Sequence, residues 1–442
     1  MLQRCLSILR LAFPVLISQV GLIVVSFADN IMVGRYSTEA LASASFVINL
    51  FNVPMLCAMG FSYGLTPLIG SLFSKNDMRG IGLTLRAGVI ANLLAGVILT
   101  LIMTGIYFYL PYMGQPLELL PLIRPFFLIY LVSILPMTLF NAFAQWSYAV
   151  RNTSMPMWIL LACNCINIIG NYMLIFGNWG APEMGLTGAG LSTLIARIIA
   201  PVAILYIFLK GKSGEPFRKD FLSRPEHGMI GGVIGKVVRT SWPVALQMTF
   251  ETSAFSLCAV LAGWLGTIPL AAFQIIVVVG TLGFCIYYSI GTAIAVLVSN
   301  ETGKAGGNLH CCRRVAFDGY IVMLCFAALS SLIFAFGGKA LMGVFTEDSA
   351  VLKLACTLIF PLVLYQLGDA TQVTFANALR GTSHVMPMLW IAFVSYALVG
   401  ITTSWILAFP CGLGVYGIVL SFSVSLFLAA GLFLNSFMRV TR

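Results

Sequence analysis

Apolar residues run along this chain in long unbroken stretches, separated by short polar breaks. Twelve stretches, at approximately 9–33, 40–72, 82–111, 122–149, 156–177, 186–209, 239–263, 268–298, 316–337, 351–378, 386–409 and 413–437, are long enough to cross a bilayer as helices. A span needs about 20 apolar residues. The longer stretches imply tilt, or extension beyond the hydrocarbon. Continuous runs exclude an outer-membrane barrel, whose strands alternate apolar and polar positions. Pro410, Gly412 and Gly414 divide the last long stretch into two spans. The pattern predicts an all-α integral membrane protein with twelve transmembrane helices.

Composition agrees. Of 442 residues, 60% are hydrophobic and 9% charged, where a soluble domain carries about 25% charged residues. So few charges cannot cover a water-facing surface of this size. A soluble enzyme, a disordered scaffold, a coiled coil and a disulfide-stapled secreted module are excluded. The net charge of +10 does not point to nucleic acid, because most basic residues lie between the apolar runs. One alternating set of loops and helix ends holds 19 Lys and Arg, the opposite set 4, and Arg197 falls within a run. By the positive-inside rule both termini are cytoplasmic, in a multi-pass inner (plasma) membrane protein. The segment MLQRCLSILRLAFPVLISQ lacks a small-residue cleavage site and reads as a retained first helix. The 11 cysteines are scattered, and no ligand spacing with His227, His310 or His384 appears. Neither a structural metal, a cofactor nor a disulfide framework is expected.

The longest polar linker, 210–238, has six runs before it and six after. The two halves resemble each other at an offset of 229 residues. Arg10 to Pro14 lines up with Arg239 to Pro243, and VGRYSTEALASASF (33–46) with AGWLGTIPLAAFQI (262–275). Arg151 meets Arg380, and Gly185 and Gly188 meet Gly414 and Gly417. Met155-Pro156-Met157 meets Met386-Pro387-Met388 after a two-residue insertion. The expected lobes are therefore 1–209 and 239–442, two pseudo-symmetric six-helix bundles joined by 210–238. Copies with an even number of helices enter the membrane the same way round, a transporter architecture.

Three acids fall inside apolar runs: Asp29 in the first, Glu251 in the seventh and Asp369 in the tenth. A carboxylate there costs at least about 2.5 kcal/mol, so it faces a cavity or a partner. None is echoed in the other half, where Asp29 meets Cys258 and Glu251 meets Leu22. A unique charge suits a task better than packing does. In the fifth run Asn167 and Asn171 share a face at i, i+4, and the sixth carries Ser192 and Thr193. With Asp29 these supply one carboxylate and neutral oxygens for a small cation; interhelical hydrogen bonding is the alternative reading. The tenth run, YQLGDATQVTFANALRG, is unusually polar and places Tyr365 one turn before Asp369. A ring beside a carboxylate suits an organic cation. Tyr109, Tyr112, Trp179 and Trp405 read as interfacial belts. No HExxH, GxSxG or phosphate-loop pattern supports an enzyme.

Four blocks carry a family resemblance: ADNIMVGRYSTEALAS (28–43), with Pro14 upstream; NIIGNYMLIFGNWGAPEMGLTGAGLST (167–193); WPVALQMTFE (242–251); and YQLGDATQVTFANALRG (365–381). Over essentially its whole length the chain resembles the multidrug and toxic compound extrusion (MATE) transporters, and within them the NorM-type branch. The resemblance implies two six-helix lobes, alternating access, and export driven by inward Na⁺ or H⁺ flow. Asp29 then matches the N-lobe acid, with Asn167, Asn171 and Thr193 as its polar partners. Glu251 and Asp369 match the C-lobe acids associated with cation binding, a Na⁺ site included, and Tyr365 matches the aromatic residue beside them. Other branches carry a second acid where this chain has Asn171, so a single-carboxylate N-lobe site is expected. The resulting expectation is a monomeric secondary-active exporter of amphipathic organic cations. A flippase of lipid-linked precursors, from the same superfamily, is the alternative. Its anionic cargo calls for a basic cavity, whereas three intramembrane acids stand here against Arg197.

Overall fold

The computed structural model describes the chain except residues 1, 115, 224–228, 305–308 and 347. Arg224 and His227 of the linker lie outside the described residues. The spans are α1 (Leu2–Tyr36), α2 (Thr38–Ser74), α3 (Met78–Tyr109), α4 (Leu120–Ala149), α5 (Ser154–Phe176) and α6 (Gly185–Lys210). They continue as α7 (Met229–Trp264), α8 (Thr267–Lys304), α9 (His310–Gly343), α10 (Ser349–Thr357 with Ile359–Gly381), α11 (Met386–Ala408) and α12 (Gly414–Val440). Eleven are long and apolar enough to cross a membrane alone, and α10 joins them as two segments bent by 46°.

The helices begin and break where local chemistry directs. Ser37 caps α2, its hydroxyl accepting from Ala40 N at 3.0 Å, and Asp77 caps α3, accepting from Gly80 N at 2.8 Å. Proline removes the donor that the carbonyl four residues earlier needs. Pro361 thereby leaves the Thr357 carbonyl without its helical bond, which is where α10 bends. Pro136 and Pro67 do the same in α4 and α2, which are interrupted at Ser133 and Gly64. Helices α7, α8 and α9 run beyond the apolar stretches that predicted them, at ends that carry charged residues such as Lys236, Glu301, Lys304, Arg313 and Lys339. Part of the 210–238 segment is helical among the described residues. It holds a short helix, Glu215–Leu222, whose Phe217 packs on Trp146 and whose Phe221 packs on Phe208.

Two compact units divide the chain. The N unit is Ile17–Ala245, and the C unit is Met1–Leu16 with Leu246–Arg442. The expected lobes follow the repeat, whereas the packed units part within two long helices, α1 and α7. The start of α1 is held in the C unit by Arg4, which bonds Asp318 of α9, and by the buried Ile8. The first half of α7 is held in the N unit, where a Cβ on Gly64 would fall 2.8 Å from Ser241 N. The core of the N unit centres on Phe51, Phe127 and Tyr130, and that of the C unit on Phe273, Leu362, Ile418 and Phe422. Large apolar side chains such as Leu101, Trp158, Val202 and Phe336 point outward, as a bilayer solvent permits. The repeat is visible in the backbone: Gly185 and Gly414 begin α6 and α12 with φ of +54° and +55°.

Candidate functional site

In the N unit, four side chains meet on three helices. Asn171 Nδ2 of α5 donates to Asp29 Oδ1 of α1. Asn167, one turn earlier, donates to the same oxygen at 2.9 Å when its amide nitrogen faces the carboxylate, and accepts from Thr193 Oγ1 of α6 at 3.1 Å. Ser192 Oγ donates to the Asn167 carbonyl at 2.6 Å. That contact needs Gly170, where a Cβ would sit 2.5 Å from Ser192 Oγ. Asn167 and Asn171 are buried, and Asp29 is half-buried. Arg197, one turn beyond Thr193, donates to Ser133 Oγ at 2.7 Å and lies over the Tyr130 ring at 4.9 Å. It is within electrostatic range of Asp29. The N unit thus sets one carboxylate, held by two amide donors, against one guanidinium.

The C unit is arranged differently. Glu251 Oε2 of α7 accepts from Gln247 Nε2, one turn earlier, at 2.9 Å. Asp369, on the second segment of α10, is 1% exposed, and its Oδ2 has no hydrogen-bond partner among the described residues. Gln366 beside it is fully buried, with both amide atoms unpartnered among the described residues. Tyr365 is half-buried and meets Phe255 and Phe422 edge-on, at 6.4 and 6.5 Å between ring centres. Glu251 and Asp369 are in electrostatic range of each other, and no described Lys, Arg or His enters the surroundings of either. Two like charges so placed repel, and a cation between them relieves the repulsion.

The residues expected from the sequence therefore fall into two constellations: Asp29, Asn167, Asn171 and Thr193 in the N unit, and Glu251, Tyr365 and Asp369 in the C unit. Sequence reasoning missed Tyr396 of α11, buried and in electrostatic range of Glu251, Asp369 and Tyr365. Its setting, FVSYALVG, is apolar and carries no polar residue one turn away. The signal was a tyrosine in mid-span, away from the helix ends where interfacial aromatics sit. The four residues assigned to those belts, Tyr109, Tyr112, Trp179 and Trp405, are all exposed.

Comparison with known proteins adds independent findings. The MatE family model matches residues 14–173 and 243–406. The Probable multidrug resistance protein NorM of Bradyrhizobium diazoefficiens is 27% identical over 98% of this chain and 93% of its own length. Its namesake from Xanthomonas campestris is 28% identical over 91% of this chain and 85% of its own. Among solved structures, the eukaryotic MATE transporter AtDTX14 superposes with a TM-score of 0.87 at 18% identity, covering 100% of this chain and 98% of that one. A MOP superfamily transporter from Pyrococcus furiosus gives 0.87 at 17% identity over 99% and 96%.

Proposed function

The chain belongs to the MATE family, a family of transporters and not of enzymes, and from that premise we propose that it is a multidrug efflux antiporter exporting amphipathic organic cations in exchange for inward Na⁺. The relatives' names, Probable multidrug resistance protein NorM, support export of drugs. One observation carries the choice of cation coupling: Asp369 is buried with an unpartnered oxygen, in range of Glu251, and neither acid has a described basic neighbour. Such a pair holds a cation tightly when desolvated and yields it when another cation competes. Glu251 and Asp369 bind the coupling ion, with Tyr365 as their aromatic neighbour. Asp29, with Asn167, Asn171 and Thr193, is a second cation- or substrate-binding position whose charge Arg197 offsets. Export follows by alternating access, the ion and the drug competing for linked sites in a monomer. The basic loops orient it in the inner membrane with both termini cytoplasmic.

The test is efflux of a fluorescent organic cation from proteoliposomes at equal pH on both sides, under an imposed Na⁺ gradient. Transport that follows the Na⁺ gradient is the expected result. Transport that ignores it, yet follows a pH gradient in Na⁺-free buffer, assigns coupling to protons.

A further inference from the structure

Arg197 stands at the middle of α6, and the repeat places Leu426 at the equivalent position of α12. A guanidinium at mid-span is costly, and such a group is kept for a task rather than for packing. It is not neutralised at contact distance: no Asp or Glu oxygen among the described residues lies within 4.0 Å of its nitrogens. Its one hydrogen bond among those residues runs from Nη1 to Ser133 Oγ, at 2.7 Å. Arginine carries five N–H donors in a planar fork.

The guanidinium is nevertheless fixed. Ser133 lies at the interruption of α4, and its hydroxyl donates to the Tyr130 carbonyl at 2.7 Å, which turns its oxygen to Arg197. The Tyr130 ring lies against the guanidinium at 4.9 Å. Nε and Nη2 have no partner among the described residues and are not sealed, the residue being half-buried. One turn before Arg197 along α6, Thr193 bonds Asn167, and Asn167 and Asn171 bond Asp29. Both amides go to Oδ1. Asp29 Oδ2 is left without a partner among the described residues, and it is not sealed either. Residues one turn apart on a helix have their Cβ atoms about 5–6 Å apart. Hydrogen bonds on four helices, α1, α4, α5 and α6, therefore hold an open carboxylate oxygen near an open guanidinium edge without letting the two close on each other.

Charge decides what such a pair accepts. A plain organic cation satisfies Asp29 but is repelled by the guanidinium, and an anion meets the opposite fault. A molecule carrying both charges satisfies both groups. Its cationic nitrogen meets Asp29 Oδ2, and its carboxylate takes two parallel bonds from the Nε–Nη2 edge. A site without net charge then holds a ligand without net charge.

We propose that Arg197 is the carboxylate-binding residue of a bipolar site in the N unit, and that this site takes amphipathic zwitterions with their cationic nitrogen on Asp29. The inference rests on the antiport reading above for transport, though not for binding, and extends its cargo from cations to zwitterions.

The probes are rhodamine 110, a zwitterion with a free carboxylate, and rhodamine 123, its methyl ester and a plain cation. Binding of each dye to the purified protein is followed by fluorescence polarisation. Arg197→Gln raises the Kd of rhodamine 110 about tenfold, as loss of a paired, charge-assisted contact requires, and does not raise that of rhodamine 123. Arg197→Lys keeps the charge but loses the fork, and raises the Kd of rhodamine 110 only a few-fold. Asp29→Asn weakens both dyes, since both carry the cationic nitrogen. Changes in Arg197→Gln that are equal for the two dyes, or absent, overturn the proposal. So does a Kd for rhodamine 110 that ignores Asp29→Asn, or a wild type that binds rhodamine 110 more than tenfold more weakly than rhodamine 123. Should Arg197→Gln fail to accumulate in the membrane, Arg197→Lys decides by the same criterion. Efflux of both dyes from proteoliposomes separates the two readings. If wild type binds the dyes yet exports neither under any ion gradient, the antiport reading fails; if it exports rhodamine 123 while Arg197→Gln treats the dyes alike, only the present inference fails.

Discussion

The two units place their polar residues in opposite ways. At the 229-residue offset, Asp29 of the N unit corresponds to Cys258 of the C unit. In the N unit Asp29, Asn167 and Asn171 close on one another through hydrogen bonds. In the C unit Cys258 lines a small cavity with Tyr396 and Gly400. Its acids stand elsewhere, Glu251 where the N unit has Leu22 and Asp369 where it has Phe140. In the N unit a guanidinium is in range of the carboxylate; in the C unit the two carboxylates have no described basic neighbour. A neutral, largely hydrogen-bonded constellation resists ion exchange. A doubly acidic one with unpartnered oxygens invites it. On the proposed reading, one repeated scaffold carries a hydrogen-bonded, charge-offset acid in one copy and an ion-exchanging pair of acids in the other.

The largest expected effect tests this contrast directly. Glu251→Gln and Asp369→Asn each lose most active export, more than about tenfold, with normal expression, and lose most of the Na⁺-induced rise in Tm. Asp29→Asn loses transport by several-fold but keeps that rise. Efflux assays and thermal unfolding with and without Na⁺ check both. An Asp29→Asn protein that loses the Na⁺ response as fully as Asp369→Asn would break the comparison.

How far the chain could be read beforehand follows the same contrast. The spans were legible because hydrophobic length is a direct consequence of the bilayer, and Pro410, Gly412 and Gly414 marked the break that separates α11 from α12. The Asp29 constellation was legible because Asn167 and Asn171 share a helical face. The convergence of Glu251 with Asp369 was not, since no spacing rule says which faces of α7 and α10 meet. The 46° bend of α10 had its cause in Pro361, but proline within a transmembrane helix bends some and leaves others nearly straight. The π-helical segment of α11, Phe393–Gly400, left no mark at all: FVSYALVG reads as an ordinary apolar helix.

A smaller effect sharpens the N-unit side. Asn171→Ala and Asn167→Ala each remove a donor to the Asp29 carboxylate, a bond to a charged group worth about 1.5–3 kcal/mol. Each lowers Tm by a corresponding amount and reduces efflux by less than Asp29→Asn does. Asn171→Asp replaces a donor with a second carboxylate and gives the N unit the like-charge pair it lacks. Its Tm should fall in Na⁺-free buffer at neutral pH and recover on adding Na⁺, more than the wild type gains. Equal gains in the two proteins would mean that a pair of acids in this scaffold is not sufficient to recruit a cation.

The smallest effects concern what the units share. A Cβ on Gly188 would fall 2.4 Å from the Leu174 carbonyl, and one on Gly417 2.8 Å from the Leu407 carbonyl. These are matching approaches, of α5 to α6 and of α11 to α12. Overpacking of this kind costs about 1–3 kcal/mol, so Gly188→Ala and Gly417→Ala should lower Tm alike. Gly185 and Gly414 have the same left-handed backbone, and an alanine there costs about 1–2 kcal/mol for conformation alone. Their surroundings differ, however. A Cβ on Gly185 meets the Tyr36 ring at 2.5 Å, whereas one on Gly414 meets nothing within 4 Å. Gly185→Ala should therefore destabilise more than Gly414→Ala, by the cost of displacing Tyr36, and Tyr36→Ala in the same chain should erase most of that difference. Thermal unfolding of the five single variants and of the Gly185→Ala, Tyr36→Ala double variant checks the order. A difference that persists without the Tyr36 ring would mean that the two turns are not equivalent even in backbone, and that the repeat is looser than its matching torsions indicate.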